Sequence, residues 1–388
     1  MIATKLPINR WHRCNRTARV NYLSRQNGSL IMRALVTITL LSTVINAHAL
    51  PLERLKLPAG LKIEVVAEVP NARQMALTAK GTLIVGSRGA GTVHALQDRD
   101  SDGFYEKKQL LADNLNMPSG LTVMDGDLYI AAVSQILKIQ DIEQNLSQPV
   151  TELIYDQLPE ETHHGWKYLT HRNGRLYFNI GAPCNICLRE DKRFATIAAL
   201  EPASGKLQLI ANGVRNSVGL AWHPSDGSLW FTENGGDHLG DDRPDDELNR
   251  MTTVGQHYGY PHIHGDGLKD KQYRRDEISG YQAPEALLGA HVAPLGLTFY
   301  QGTQIPEADK ETLFIALHGS WNRSSKVGYQ ILKVQTRSGK VTQQQVFVDG
   351  WLTGQRHWGR PADVITAPDG SLLISDDYAG VIYRVSKR

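Results

Sequence analysis

The sequence predicts an all-β fold, a six-bladed β-propeller. A turn followed by Leu and several apolar or aromatic residues occurs six times, at residues 80–85, 125–130, 173–178, 226–231, 310–315 and 369–374. Another short apolar segment precedes each copy, and a third follows most of them. Short strands with turn signals at a spacing of roughly 40–60 residues, without a long helical period, are typical of propellers.

The ends of the chain predict how the ring closes. Residues 61–69 (LKIEVVAEV) have the composition of a strand and precede the first copy. We expect this segment to complete the last blade, because a closed ring leaves no sheet edge unpaired. The gap between the fourth and fifth copies is long, and its polar part, residues 262–285, is expected to cover one face.

Residues 1–49 are predicted to be a leader rather than part of the fold. Residues 1–31 are basic, and after them come Met32-Arg33, an apolar run at 34–45 and Ala47-His48-Ala49. This order is typical of a signal peptide, and the run is too short to span a membrane. We therefore expect a true start at Met32, cleavage after Ala49 and a mature domain of residues 50–388. That domain would be periplasmic or secreted, without a transmembrane anchor; an uncleaved anchor is the alternative.

The charge balance gives no support to nucleic-acid binding. The leader contains seven of the 42 basic residues and none of the 40 acidic residues, so 35 basic and 40 acidic residues remain. The mature domain is therefore slightly acidic, and no basic patch indicates a nucleic-acid partner.

Cys184 and Cys187 form a CxxC sequence in the segment PCNIC. In an exported protein, two cysteines at this spacing favour a disulfide. A thioredoxin-like site needs a βαβ setting, zinc needs two more ligands, and c-type haem needs a His where Leu188 stands.

The loop after the fourth repeat combines glycines with carboxylates. It begins at Glu233, Asn234, Gly235 and Gly236 and is rich in Asp up to Glu247. Glycines let the backbone approach a ligand closely, and oxygen ligands suit calcium. A solvated acidic loop is the alternative. A second Asp-rich turn, Asp98 to Gly103, resembles an EF-hand loop but has Gln109 at the twelfth position, so an exposed turn is favoured there.

Histidine and arginine residues precede the expected inner strands. His163 and His164 stand before the third, where a His could act as a general base, although each alone is more often a packing residue. Arg215 precedes the fourth inner strand and Arg360 the sixth; guanidinium groups suit planar anions, although ordinary ion pairs are the alternative. A glycine-led turn in blade five carries Trp321, Asn322 and Arg323.

Together these segments resemble the soluble glucose/sorbosone dehydrogenase family, six-bladed propellers that use pyrroloquinoline quinone. The resemblance covers the mature chain and is nearest to the sorbosone dehydrogenase-like branch. It is carried by the segments GVRNSVGLAWHP (213–224), LGDDRPDDELN (239–249), YGYP (258–261), HGSWNR (318–323) and APCNIC (182–187).

The resemblance implies a role for each matching residue. It implies His164 as the catalytic base, with His163 as the alternative, and Arg215 with Asn216 at substrate and quinone. It implies cofactor contacts from Asn234, Arg323 and Arg360, a calcium ion at the carbonyls of Gly235 and Gly236, and a further calcium near Asp246, Glu247 and Tyr258. Ala362 stands where the glucose enzymes carry a second arginine. Their cofactor-contacting lysine has no clear match, and Arg323 or Lys326 is the expected substitute.

The implied activity is oxidation of an aldose or sugar aldehyde by hydride transfer to the quinone, with calcium as a Lewis acid. The sequence does not specify the sugar or the electron acceptor. Two alternatives remain: a calcium-dependent propeller lactonase, and a non-catalytic propeller that binds a glycan or a protein.

Overall fold

The computed structural model describes residues 50–388, and the predicted leader lies outside this range. The described residues form six antiparallel blades and very little helix. The innermost strands contact one another in sequence around a ring, and the last also contacts the first. The predicted six-bladed propeller is therefore confirmed.

A 3-10 turn (Leu52–Arg54) precedes the first strand, β1 (Leu61–Glu68). The strands of the first two blades, each given from the channel outward, are β2 (Ala72–Leu77), β3 (Leu83–Ser87), β4 (Val93–Gln97) and β5 (Lys107–Ala112) in blade one, and β6 (Gly120–Met124), β7 (Asp127–Ala131), β8 (Ile136–Ile139) and β9 (Glu152–Tyr155) in blade two. A single helical turn, α1 (Ile142–Asn145), connects the last two strands of blade two.

The long polar insertion lies within blade four, between its third and fourth strands, and pairs with blade three. The strands of these two blades are β10 (Leu169–Arg172), β11 (Arg175–Ile180), β12 (Thr196–Glu201) and β13 (Lys206–Asn212) in blade three, and β14 (Leu220–Trp222), β15 (Leu229–Glu233), β16 (Asp245–Met251) and β20 (Ala286–Ala290) in blade four. The insertion adds β17 (Gln256–His257), parallel to β13, and a hairpin of β18 (Ile263–His264) and β19 (Leu268–Lys269).

Blades five and six complete the ring. Their strands are β21 (Pro294–Phe299), β22 (Thr312–Leu317), β23 (Gln330–Arg337) and β24 (Lys340–Val348) in blade five, then a hairpin of β25 (Leu352–Thr353) and β26 (Arg356–His357), and β27 (Pro361–Thr366), β28 (Leu372–Asp376) and β29 (Val381–Lys387) in blade six. Strand β1 pairs with β29 as the outer strand of blade six, from Leu61 opposite Lys387 to Glu68 opposite Val381. The predicted closure by the segment at 61–69 is confirmed.

The hydrophobic core is divided among the blade interfaces. Among residues 50–388, six of the seven buried apolar clusters lie one between each pair of neighbouring blades, and the seventh, a small one, joins Val218, Leu295 and Ala362. Strand β22 shows why, because successive side chains point to opposite faces of a strand. Phe314 packs toward blade six, whereas Leu313 and Ile315 pack toward blade four. Because such strands are buried on both faces, their sequences are continuously apolar, as seen in each copy of the repeat.

This architecture gathers particular chain positions at one end of the channel. In an antiparallel pair, the start of the inner strand lies beside the end of the second strand, as Pro294 lies opposite Leu317 in blade five. Residues just before each inner strand and just after each second strand therefore meet there. Within residues 50–388, no helix is long and apolar enough to cross a membrane.

Candidate active site

A cavity of about 560 Å³ lies at this end of the channel and receives residues from all six blades. Its size is in the usual range for a small-molecule site. The residues singled out from the sequence that line it are His163, His164, Arg215, Asn216, Asn234, Gly235, Asp246, Trp321, Asn322 and Arg360. Further lining residues that the sequence did not single out as ligand contacts are Arg73, Arg88, Trp166, Asp237, His291 and His318.

His164 is buried in the cavity wall and has a left-handed backbone, with φ of 54°. Its Nδ1 atom lies 2.9 Å from the carbonyl oxygen of Ala182, just after β11. Because a carbonyl only accepts hydrogen bonds, Nδ1 carries the proton and Nε2 keeps its lone pair. Burial, with Arg215 nearby, holds the pKa of His164 well below its usual range. The ring is thus neutral at neutral pH and able to accept a proton.

His163 is the alternative base, and its environment differs. It is more exposed than His164, and the two ring centroids lie 4.1 Å apart. Burial lowers the pKa of His163, but no hydrogen bond to its ring is formed among residues 50–388. The structure therefore fixes the tautomer of His164 and not that of His163.

Arg215 is almost wholly occupied by the protein. Its guanidinium donates to the Asn185 carbonyl and side-chain oxygens (both 2.8 Å), the Asn234 carbonyl (3.1 Å) and Asp237 Oδ2 (2.9 Å). One of five N–H donors, on Nη1, is left for a ligand. Arg215 thus connects blade four to the loop between Cys184 and Cys187 and contacts the cavity with one edge.

Asn216, unlike Arg215, has a side-chain atom that residues 50–388 leave without a hydrogen bond. Its side chain is 5% exposed, lines the cavity, and its Oδ1 atom has no hydrogen-bond partner among the described residues. A buried amide without partners is costly, so this position indicates a ligand contact. Asn234, by contrast, donates to the Pro294 carbonyl (2.8 Å) and so ties blade four to blade five.

The two glycines after β15 occupy different positions. Gly235 lines the cavity and donates its N–H to Asp246 Oδ1 (2.7 Å), and a Cβ atom there would lie 2.9 Å from Pro244 Cγ. Gly236 is not among the cavity-lining residues and packs near the end of the Ile186 side chain. The close contact with Pro244 explains why Gly is needed at 235. The partner of the Gly235 N–H, Asp246, is buried, and burial raises its pKa to about 6.

A cluster of buried acids lies behind Gly235. Glu233 and Glu247 face each other across β15 and β16, and Asn249 Nδ2 donates to both, at 3.4 and 2.8 Å. Burial raises the pKa of Glu247 to about 7, and burial with the neighbouring Glu247 raises that of Glu233. The Tyr258 hydroxyl donates to the Arg250 carbonyl (3.0 Å). Neither Glu247 nor Tyr258 lines the cavity, so their metal-binding role stays a prediction.

The wall formed by blades six and one is cationic. Arg360 donates to the carbonyls of His318 (3.1 Å) and Gly319 (2.7 Å), while Arg73 Nη1 lies 2.8 Å from Asp377 Oδ2. The other Asp377 oxygen accepts from His318 Nε2 (2.8 Å). Burial alone would raise the pKa of Asp377, but His318 and Arg73 hold it far below its usual range. Asp377 is therefore ionised.

Arg323 lies at the rim, outside the cavity lining. It donates to the Asp241 carbonyl (2.9 Å) and to Asp242 (2.7 Å), which fixes the acidic loop against blade five. Its cofactor contact stays a prediction.

The structure joins Cys184 to Cys187 in a disulfide, as predicted. The Tyr260 hydroxyl accepts from the Cys187 N–H (2.9 Å), and Asn185 inside the short loop binds Arg215 and Asp237. The disulfide loop therefore supports two cavity-lining residues, Arg215 and Asp237, from behind.

At the Asp98 turn, potential ligand atoms of Asp98, Asp100, Asp102 and Glu106 lie within 4.8 Å of one another. Asp98 accepts from the N–H groups of Ser101 (2.7 Å) and Gly103 (2.8 Å). These are the contacts expected of an exposed turn.

With this geometry established, similarity to known proteins can be assessed. The family described as a domain of unknown function, DUF7133, matches residues 49–386. The chain belongs to this family. An uncharacterised protein of Borreliella burgdorferi is 32% identical over 370 residues, covering 90% of this chain and 96% of the relative.

Other relatives carry a described activity. A pyrroloquinoline quinone-dependent sugar dehydrogenase of Hypocrea jecorina is 24% identical over 305 residues, covering 64% of this chain and 69% of that protein. The calcium structure of a Trichoderma reesei carbohydrate-active enzyme of family AA12 has a TM-score of 0.75 at 20% identity, covering 86% and 97% of the two chains. The holo pyranose dehydrogenase PQQ domain of Coprinopsis cinerea has a TM-score of 0.74 at 17% identity, with the same coverage. The predicted resemblance is confirmed, and at these identities the structural likeness establishes the fold.

Proposed function

We propose that the protein is a quinoprotein oxidoreductase that oxidises an aldose or a sugar aldehyde, with sorbosone-like compounds as the finer expectation. The observation that carries this proposal is His164, a neutral buried base with a fixed tautomer, in a cavity whose opposite wall is cationic. The described activities of the relatives in Hypocrea jecorina and Coprinopsis cinerea support the same class.

The cavity lining fits pyrroloquinoline quinone, a planar tricarboxylate. Arg73, Arg88 and Arg360 offer forked donors for carboxylates, and the unpartnered Asn216 amide offers a further polar contact. For calcium, Gly235 brings backbone to the cavity with Asp246 beside it, and hard oxygen ligands of this kind suit the ion. Gly236, Glu247 and Tyr258 would contribute from behind the cavity lining.

The protein's own groups then have distinct tasks. His164 Nε2 would accept the hydroxyl proton of the substrate, since Nδ1 is already bonded to Ala182. Arg215 would hold the cavity wall and offer its remaining Nη1 donor to a substrate oxygen. When bound, the quinone supplies the two-electron acceptor and calcium the Lewis acid.

Purified protein should reduce a redox dye with an aldose or a hydrated aldehyde only when both pyrroloquinoline quinone and calcium are added. The panel should include sorbosone, several aldoses and sugar lactones, with EDTA-treated protein as the control. Absence of quinone-dependent oxidation across the panel would overturn the proposal, and hydrolysis of lactones without quinone would favour a lactonase.

Export to the periplasm or beyond the cell is part of this proposal. It depends on residues 1–49, outside the described range. Mass spectrometry of protein from a periplasmic fraction should find an N-terminus at Leu50.

A further inference from the structure

Two arginines of blade one reach the cavity with donors that the protein does not use. Arg73 is 4% exposed, and its acceptor among residues 50–388 is Asp377 (2.8 Å). The Arg88 guanidinium has no acceptor within that range, and its Cζ atom lies 4.0 Å from the centre of the Trp166 ring. Guanidinium N–H groups that lack acceptors inside a cavity cost free energy unless a ligand or water accepts hydrogen bonds from them.

The charges on this side of the cavity do not balance. Arg73, Arg88 and Arg360 bring three positive charges, and Asp377, which His318 also shares, brings one negative charge. Buried Asp376, whose Oδ1 accepts from the Arg360 backbone N–H (2.9 Å), offsets part of the remainder. Burial lowers the pKa of His318 to about 4, so its ring adds no positive charge at neutral pH. A net positive charge of about one to two remains, which a neutral sugar cannot compensate and a ligand with carboxylates can.

The opposite wall carries acid groups. Asp237 and Asp246 of blade four line the cavity there, beside Gly235. Asp237 is already paired with Arg215 and Asn322, and Asp246 with two backbone N–H groups. The carboxylates of an anionic ligand would therefore be directed toward blades six and one and away from Asp237 and Asp246, so that the ligand binds in one orientation.

We propose that Arg73 and Arg88 bind the carboxylates of the quinone together with Arg360, and that Asp377 is a positioning residue for Arg73. This inference depends on the proposed function. Stacking on Trp166 holds the plane of Arg88 and leaves the edge of its fork for a carboxylate.

The test is equilibrium binding of pyrroloquinoline quinone to apoprotein with calcium, measured by fluorescence titration and independent of turnover. Arg73→Gln and Arg88→Gln should each weaken binding by about tenfold to 100-fold, the range for losing a charged hydrogen bond. Arg337→Gln is the matched control, because Arg337 pairs with Asp309 on the exposed outer part of blade five. Since Arg88 makes no side-chain hydrogen bond within residues 50–388, Arg88→Gln carries the test if Arg73→Gln does not fold.

The trimethyl ester of the quinone is the second probe. Wild type should bind the ester more weakly than the acid, and this preference should shrink in the two variants. If wild type binds the quinone and the variants bind it equally well, the inference is wrong and the proposed function stands. If wild type does not bind the quinone at all, both are wrong.

Discussion

His164 Nδ1 lies 2.9 Å from the carbonyl oxygen of Ala182, a residue 18 positions later in the chain. The contact joins the segment before β10 to the segment after β11, so the blade itself fixes the tautomer of the ring. A general base needs this kind of support, because a freely rotating imidazole would present its lone pair only part of the time.

Replacing His164 should remove the base without removing the cofactor site. His164→Ala is expected to lower kcat by about 100-fold or more, since a positioned general base contributes roughly 10²–10⁴ in rate. Titration with pyrroloquinoline quinone should show nearly unchanged affinity. His163→Ala is the neighbouring control and should keep most activity; the reverse result would assign the base to His163.

The low pKa of His164 predicts the acid side of the pH profile. The base must be neutral to act, and burial with Arg215 nearby holds the pKa of His164 well below its usual range. Activity should therefore persist through pH 6 and decline only at lower pH. Measurement of kcat/KM from pH 4 to 8 checks this, with a Tm recorded at each pH. A decline centred near pH 6.5, with folded protein, would contradict it.

Asn185 is expected to matter more than its place in a short surface loop indicates. It accepts from Arg215 Nη2 and from the Asp237 N–H, both at 2.8 Å, so Asn185→Ala leaves two part-buried N–H groups without this acceptor. We expect a loss of about 1–3 kcal/mol in stability and a lower kcat/KM. Arg189→Ala, in the same loop but exposed, is the control. Equal effects of the two changes would show that Asn185 has no special role.

Removal of the disulfide should act through the hydrogen bonds that Asn185 makes with Arg215 and Asp237. Cys184→Ala with Cys187→Ala should resemble Asn185→Ala in kcat/KM if the disulfide keeps Asn185 in place. Unchanged kinetics would mean that its role is stability alone.

Substitution of the two adjacent glycines, Gly235 and Gly236, should affect calcium-dependent activity to different extents. A Cβ atom at 235 would lie 2.9 Å from Pro244 Cγ and 3.2 Å from the Asp245 carbonyl oxygen, whereas one at 236 would meet the end of Ile186 at 3.2 Å. Gly235→Ala should therefore displace the backbone and weaken calcium-dependent activity strongly, and Gly236→Ala should do so less. A calcium titration of dye reduction measures both, and a larger effect at 236 would contradict this order.

Asp363 provides a test of stability against pH. It is buried in the channel, where it accepts from the Met75 N–H (2.8 Å) and the Tyr168 hydroxyl (3.1 Å), and burial raises its pKa to about 7. The protonated form is favoured in the folded state, so its stabilisation is complete below about pH 4 and is lost as pH rises through 7.

Asp363→Asn stays neutral and can donate to Tyr168 instead. Its stability relative to wild type should therefore increase between pH 5 and 8, on the order of 2–4 kcal/mol. Denaturant titrations at several pH values measure the difference. A constant difference across that range would contradict the raised pKa.

The fold could be predicted because its signal is local and repeated. Each blade has the same turn and apolar run in its sequence. The two faces on which Phe314 and Ile315 pack follow from the alternation of side chains along a strand. The positions of His164, Arg215 and Arg360 in the cavity lining could be predicted too, because each precedes an inner strand; their roles stay predictions.

Other site residues have no comparable local signal. Arg73 and Arg88 are single arginines in an ordinary repeat, and only ring closure brings them beside Arg360. They do follow the positional rule seen in the structure, at the start of an inner strand and just after a second strand. Glu233 ends an apolar strand and is buried, although acids at strand ends commonly face solvent.

The pairing of β1 with β29 also imposes an order in time. The segment at 61–68 emerges early in synthesis, but its partner at 381–387 is made about 320 residues later, roughly 15–60 s at ordinary elongation rates. Until then blade six lacks its outer strand and β1 has an unpaired edge, the kind of surface on which chains associate wrongly. Truncation of the chain before Val381 should therefore lower the yield of folded protein far more than the loss of one strand's contacts would indicate.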